Sequence, residues 1–104
     1  KTVTYCRGQA EAVVLATVGR TTFDVTDSTG VAERLESRDF IITATDLVLN
    51  GTTVLPERGD RIEETAGNQT LVYEVVGPGQ EPCWRWSDPY RLALRIHTKQ
   101  VGTA

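Results

Sequence analysis

The 104-residue chain predicts an all-β protein, a small single-domain β-barrel or β-sandwich with long loops, spanning residues 1–104. Two observations carry that reading. Turn-forming residues recur at short intervals, in Arg7-Gly8, Gly19, Asp27-Ser28-Thr29-Gly30, Asn50-Gly51, Pro56, Gly59-Asp60, Gly67-Asn68 and Gly77-Pro78-Gly79. The segments between them are rich in Val, Thr, Ile, Leu and aromatic residues, which suit a pleated, half-buried surface. The second observation is the alternation that begins at Arg91. Leu92, Leu94, Ile96 and Thr98 fall on one side, and Arg91, Ala93, Arg95, His97 and Lys99 on the other, as in a strand with one face on a core.

The elements follow in order. Strands are expected at residues 3–5, 11–18 and 22–25, with Gly19 as a turn between the last two. Residues 27–30 fit a hairpin turn, because Gly30 supplies the positive φ such loops need. Residues 31–38 suit a helix by their Ala, Glu, Arg and Leu content and a strand by the alternation of Val31, Glu33, Leu35 and Ser37; the strand is favoured. A further strand covers 39–45, and residues 45–49 before Asn50-Gly51 read as a short helical turn or the end of a strand. Gly59-Asp60 reads as a tight turn in which Asp60 bonds its own backbone; no Asp-x-Asp pattern completes a calcium loop. Strands at 61–64 and 71–76 flank a polar hairpin tip at 64–70. A loop over 77–82, bent by Gly and restrained by Pro, leads towards the final strand at 91–99.

Composition narrows the function. A net charge of −3 and an isoelectric point near 5.1 argue against general nucleic-acid binding, which draws on phosphate neutralisation by many Lys and Arg. No apolar run approaches the roughly 20 residues of a membrane helix, and no apolar stretch after a charged start reads as a signal peptide. The chain contains no Met and begins with Lys, so further residues are expected upstream. Cys6 and Cys83 lack the clustering zinc requires and are expected to be reduced thiols; a single long-range disulfide is the alternative in an exported protein. His97 is the only histidine, and no Gly-x-Ser-x-Gly elbow or His-Glu-x-x-His helix accompanies it. No catalytic, metal-binding or cofactor-binding residue is assigned.

The chemistry that stands out is the aromatic and basic cluster near the end. Trp84, Trp86, Tyr90 and Tyr73 with Arg85, Arg91 and Arg95 suit three roles: a stacking platform for single-stranded nucleic acid, packing on the core, or a protein interface, where Trp, Tyr and Arg are enriched. Because the rest of the chain is mildly acidic, the basic side of the last strand reads as a docking surface for an acidic partner.

The order of several short stretches carries a resemblance. Asp39-Phe40-Ile41-Ile42, then Leu55-Pro56-Glu57-Arg58-Gly59-Asp60-Arg61-Ile62, Val72-Tyr73-Glu74-Val75, Trp84-Arg85-Trp86-Ser87-Asp88-Pro89-Tyr90 and Leu94-Arg95-Ile96-His97-Thr98-Lys99 together resemble the head-tail joining (stopper or head-closure) proteins of tailed bacteriophages. The resemblance spans residues 40–99, and the Trp-x-Trp-Ser-Asp-Pro-Tyr to Ile-His-Thr-Lys stretch is its most specific part. It implies a non-enzymatic structural protein of the virion neck, assembled in the bacterial host cytoplasm. The protein would form a homo-oligomeric ring of its own copies that closes the DNA-filled head. It would contact a portal or adaptor protein on the head side and a tail-terminator or tail-tube protein on the tail side. Packaged DNA would pass without specific binding, since an acidic wall repels phosphate. The interface residues expected on this reading are Trp84, Trp86, Tyr90, Arg91, Arg95, His97 and Lys99. The alternatives are a tail-tube or tail-terminator subunit and an OB-like module for single-stranded nucleic acid.

Overall fold

A computed structural model describes residues 1–26 and 29–104; the turn expected at 27–30 therefore lies partly outside the described residues. The strands are β1 (Thr2–Arg7), β2 (Ala10–Thr26), β3 (Ala32–Thr43), β4 (Val48–Leu49), β5 (Thr52–Thr53), β6 (Arg61–Ala66), β7 (Gln69–Val75), β8 (Trp84–Trp86) and β9 (Ala93–Thr103). A single 3-10 turn, Ala44–Asp46, follows β3. The main sheet runs β3-β2-β1-β6-β7-β9, and β9 pairs back onto β3, so six antiparallel strands close into a ring. β8 adds to the N-terminal half of β9, on the edge whose C-terminal half pairs with β7. β4 and β5 make a small hairpin about Asn50-Gly51, whose φ values of 51° and 78° suit the tight turn this dipeptide favours.

Period-two alternation is what lets the sheet close. Val3 and Tyr5, Val14 and Ala16, Phe40 and Ile42, Ile62, Tyr73 and Val75, and Leu94 and Ile96 are buried in one cluster, so every strand of the ring sends one face inward. Closure also pairs strand edges that would otherwise be open to other chains.

Two expected breaks are absent. Residues 11–18 and 22–25 belong to one strand, β2, and Gly19 lies inside it. A Cβ at Gly19 would sit 2.9 Å from Nη2 of Arg95; the glycine makes room for a guanidinium lying over the backbone instead of a turn. Residues 32–43 are likewise one strand, β3, and no helix forms in 31–38. Beyond the ring, residues 21–26 and 32–37 continue as a two-stranded arm.

The last strand is shifted from its expected place. It starts at Ala93 and runs to Thr103. Arg91 adopts φ 60° outside the strand, and Leu92, expected in the core, is 64% exposed. The cause is local: the Asp88 carboxylate accepts the backbone N–H groups of Tyr90, Leu92 and Ala93, and Arg91 N–H reaches Asp88 O at 3.3 Å. A turn that engages these donors holds residues 88–92 out of the sheet.

The Gly59-Asp60 turn forms as expected and is bolted to β1. Glu57 N–H donates to Asp60 Oδ2 at 3.0 Å, and Gly59 has φ 91°. Arg7 grips the same carboxylate through Nε at 3.0 Å and Nη2 at 2.8 Å, and Tyr5 Oη donates to it from the core. Burial, reinforced by that acceptor, pushes the Tyr5 phenol well above its ordinary pKa. Both cysteines are free, Cys6 half-buried and Cys83 buried.

Leu94 has no exposed surface, so Leu94→Ala should cost about 3 kcal/mol in urea unfolding, while exposed Leu15→Ala should change stability by less than about 0.5 kcal/mol. Thiol titration should find two reactive groups after denaturation without added reductant, and in the native protein Cys6 should react well before Cys83.

Candidate functional site

β8 and β9 bring the aromatic and basic cluster together, and pairing sorts it. Trp84 and Trp86 lie opposite Ile96 and Leu94, facing the core. Their rings meet edge to face with centroids 5.1 Å apart, half-buried on the interior residues. Tyr73 is buried among the core side chains. Of the four aromatics proposed as a stacking platform, only Tyr90 is exposed, at 80%. A row of open ring faces for bases is not what the pairing produces.

The basic side of β9 is also divided. Arg95 and His97 point to the outer side of the sheet, where β3 brings up Asp39, which has no exposed surface. Arg95 Nε donates to Asp39 Oδ2 at 2.7 Å, and Ser37 Oγ donates to Oδ1 at 2.6 Å. Thr21 Oγ1 adds a third donor from β2. His97 Nδ1 lies 2.9 Å from Asp39 Oδ1; since a carboxylate only accepts, Nδ1 carries the proton. Phe23 covers the imidazole edge-on at 5.1 Å. Arg95 and His97 are thus tied into the fold, with His97 buried, and the continuous basic face expected from Arg91 to Lys99 is reduced to its two exposed ends.

Burial alone would raise the Asp39 carboxyl, but hydrogen bonds from His97, Ser37, Thr21 and Arg95 outweigh it and hold the group well below the usual carboxylate range. Ser37, His97 and Asp39 do not make a hydrolytic triad. Ser37 Oγ and the Asp39 carboxylate lie on the same imidazole nitrogen, at 3.4 and 2.9 Å, whereas a relay needs them on opposite nitrogens.

A second buried carboxylate sits at the arm end of the ring. Glu64 on β6 receives Arg38 Nη2 at 2.8 and 3.0 Å and Lys1 Nζ at 2.6 Å. The Arg38 guanidinium lies 5.6 Å from the Phe40 ring centroid and 5.2 Å from that of Tyr73. Burial opposes ionisation of Glu64, yet the Lys1 and Arg38 contacts lower its pKa.

What remains exposed in this cluster is chiefly the loop between β8 and β9. Asp88 fixes its backbone, so Tyr90, Arg91 and 64% exposed Leu92 project from a defined turn. Arg85 on β8 stands directly opposite Arg95, and Lys99 is exposed further along β9. Asp39, Glu64 and Asp88 organise this region; Asp39 and Asp88 stand in the stretches that carry the resemblance, but the sequence reading assigned none of the three this role. The alternation placing Asp39 on the outer side when Phe40 is inside was available, but its cationic partners depend on the β3–β9 register.

A family model described as Phage head-tail joining protein matches residues 1–104. No curated protein and no solved structure matches the chain.

The Asp39 cluster gives a signed pH dependence. A carboxyl whose folded pKa lies below its unfolded value, near 4, adds stability that is complete above about pH 4 and lost as pH falls towards the folded value. Asp39→Asn should therefore lose about 3 kcal/mol at pH 7, where it leaves Arg95 without its partner, and should lose less than the parent between about pH 4 and pH 2. Urea unfolding across that range decides; parallel pH profiles for the two proteins would refute the assignment.

Proposed function

This chain belongs to the phage head-tail joining protein family, and we propose that within it the protein forms a homo-oligomeric ring that closes the filled head and receives the tail. The observation that carries the reading is that the family match spans residues 1–104 and so takes in the whole ring of strands and the loop between β8 and β9. Membership makes the protein a structural component of the virion that works among other head and tail proteins. In the finer reading, copies of the chain surround a channel beneath a portal or adaptor protein and above a tail-terminator or tail-tube protein. The net charge of −3 supports passage of DNA without adhesion. No step of bond chemistry is assigned, and assembly is placed in the host cytoplasm, in keeping with the free state of Cys6 and Cys83.

Within the stretch 84–99, the contact is assigned to the side chains that project. Tyr90, Arg91 and Leu92 supply an aromatic, a cation and an aliphatic group on one turn, a combination suited to an interface anchor. Lys99 adds a second exposed charge. Trp84 and Trp86 support the loop from below, while Arg95 and His97 hold β9 to β3 through Asp39. A closed cyclic ring is how identical subunits build a channel.

The test is complementation of a phage lacking this gene with Tyr90→Ala/Arg91→Glu protein. Both positions are exposed, so the variant should fold with less than about 0.5 kcal/mol lost. Filled heads that leak DNA or fail to join tails are expected. Normal yields of infectious particles from the variant would reject the loop as the contact, and normal yields from the deletion would reject the neck function itself.

A further inference from the structure

The seam that closes the ring is only partly zipped. β3 and β9 pair from Thr43↔Ala93 to Arg38↔Thr98, and the ladder ends there with Thr98 Oγ1 donating to Arg38 O at 2.6 Å. Beyond that point β3 continues to Ala32 paired only with β2, and β9 continues to Thr103 paired only with β7 among the described residues. The two strands part, and each keeps an unpaired edge on the side where the other would have been. Glu36, Ser37, Thr98 and Lys99 border both of the clefts at this point, of about 650 and 340 Å³, so these form one trough across the open seam.

The trough has two chemical halves. Its larger half carries Arg20, Arg38 and Lys99, against Glu36 as the one carboxylate on its wall among the described residues. Arg20 reaches Glu36 at 3.6 Å, and Arg38 is held by Glu64 through Nη2 while its buried Nε has no hydrogen-bond partner among the described residues; Lys99 makes no ion pair among them. The smaller half offers Leu35, Val76 and Pro78. In a protein of net charge −3 this is a local excess of cations beside an open strand edge.

We propose that the trough receives an extended acidic segment of another protein, which adds to the β9 edge from Lys99 onwards in the place that β3 leaves vacant. Backbone hydrogen bonds to β9 supply the affinity. Alternate side chains meet the two halves, apolar ones at Leu35 and Pro78 and carboxylates at Arg20 and Lys99. The inference rests on the seam alone and holds whether or not copies assemble into a ring.

The probe is a labelled, capped peptide of about nine alternating valine and glutamate residues, compared with its valine and lysine counterpart, on the purified protein. The acidic peptide should bind in a salt-sensitive manner and slow amide exchange within residues 99–103. The lysine peptide should not bind, and Arg20→Glu/Lys99→Glu, which alters two exposed side chains, should weaken the acidic peptide at least about tenfold while leaving the melting temperature unchanged. Equal binding of both peptides, no binding of the acidic one, or protection confined to the Tyr90 loop would each overturn the proposal.

Discussion

Closure of the ring through the β3–β9 pairing is the constraint from which the rest of the structure follows. These strands are separated by half the chain, and nothing local brings them together. Two interactions hold the seam from opposite sides. Inside, Phe40 and Ile42 on β3 meet Ile96 and Leu94 on β9 with no exposed surface. Outside, Asp39 collects Arg95 and His97 from β9, Ser37 from its own strand and Thr21 from β2. The apolar contact supplies burial but tolerates sliding. The Asp39 contacts fix the register, since a slip of one residue would carry a buried carboxylate and its Arg95 and His97 donors to opposite faces.

The same logic accounts for the distribution of charge. Asp39, Asp60 and Glu64 are almost entirely buried, and each is gripped by at least one arginine. An uncompensated carboxylate in these places would be costly, so the arginines that grip them are engaged in holding strands together. Arg7 ties the loop before β6 to β1, Arg38 ties β3 to β6, and Arg95 ties β9 to β3. A cation count along the last strand therefore overstates what is available to a partner. Around β8 and β9, the cations that make no ion pair among the described residues are Arg85, Arg91 and Lys99.

How much of this was legible in the sequence depends on range. The all-β class and the inward positions of Leu94 and Ile96 follow from turn residues and alternation, which are local signals. The Gly59-Asp60 turn was legible for the same reason. Gly19 was misleading because a glycine in a strand and a glycine in a turn look alike until the neighbour that needs the space, Arg95 from the far end of the chain, is in place. The start of β9 was misjudged because the alternation continues through Leu92 and Arg91, whereas the backbone there obeys Asp88. Residues 100–103, Gln-Val-Gly-Thr, are too few and too mixed to carry a strand pattern of their own and are strand because β7 offers them a ladder. Among the candidate site residues, identity was legible but exposure was not: Asp39 lies across the sheet from Arg95 and His97 and ties them down, whereas Lys99 lies beyond its reach and Arg91 is held out of the sheet by the Asp88 turn.

A protein that joins others must resist joining them in the wrong way, and the ring settles much of that conflict. Six strands paired into a closed circuit leave few edges for unplanned pairing. On the proposed readings, recognition is moved to places where the backbone is fixed but not used up. The Tyr90 loop is one, its N–H groups already satisfied by Asp88, so that its side chains are offered without an adhesive main chain. The open end of the β3–β9 seam is the opposite case, with free main chain beside charged side chains. A side-chain anchor suits a partner with its own folded surface, and a strand edge suits one that arrives extended. On these proposals the fold separates two modes of attachment to the two ends of β9, with the Asp39 cluster between them keeping the strand in register for both.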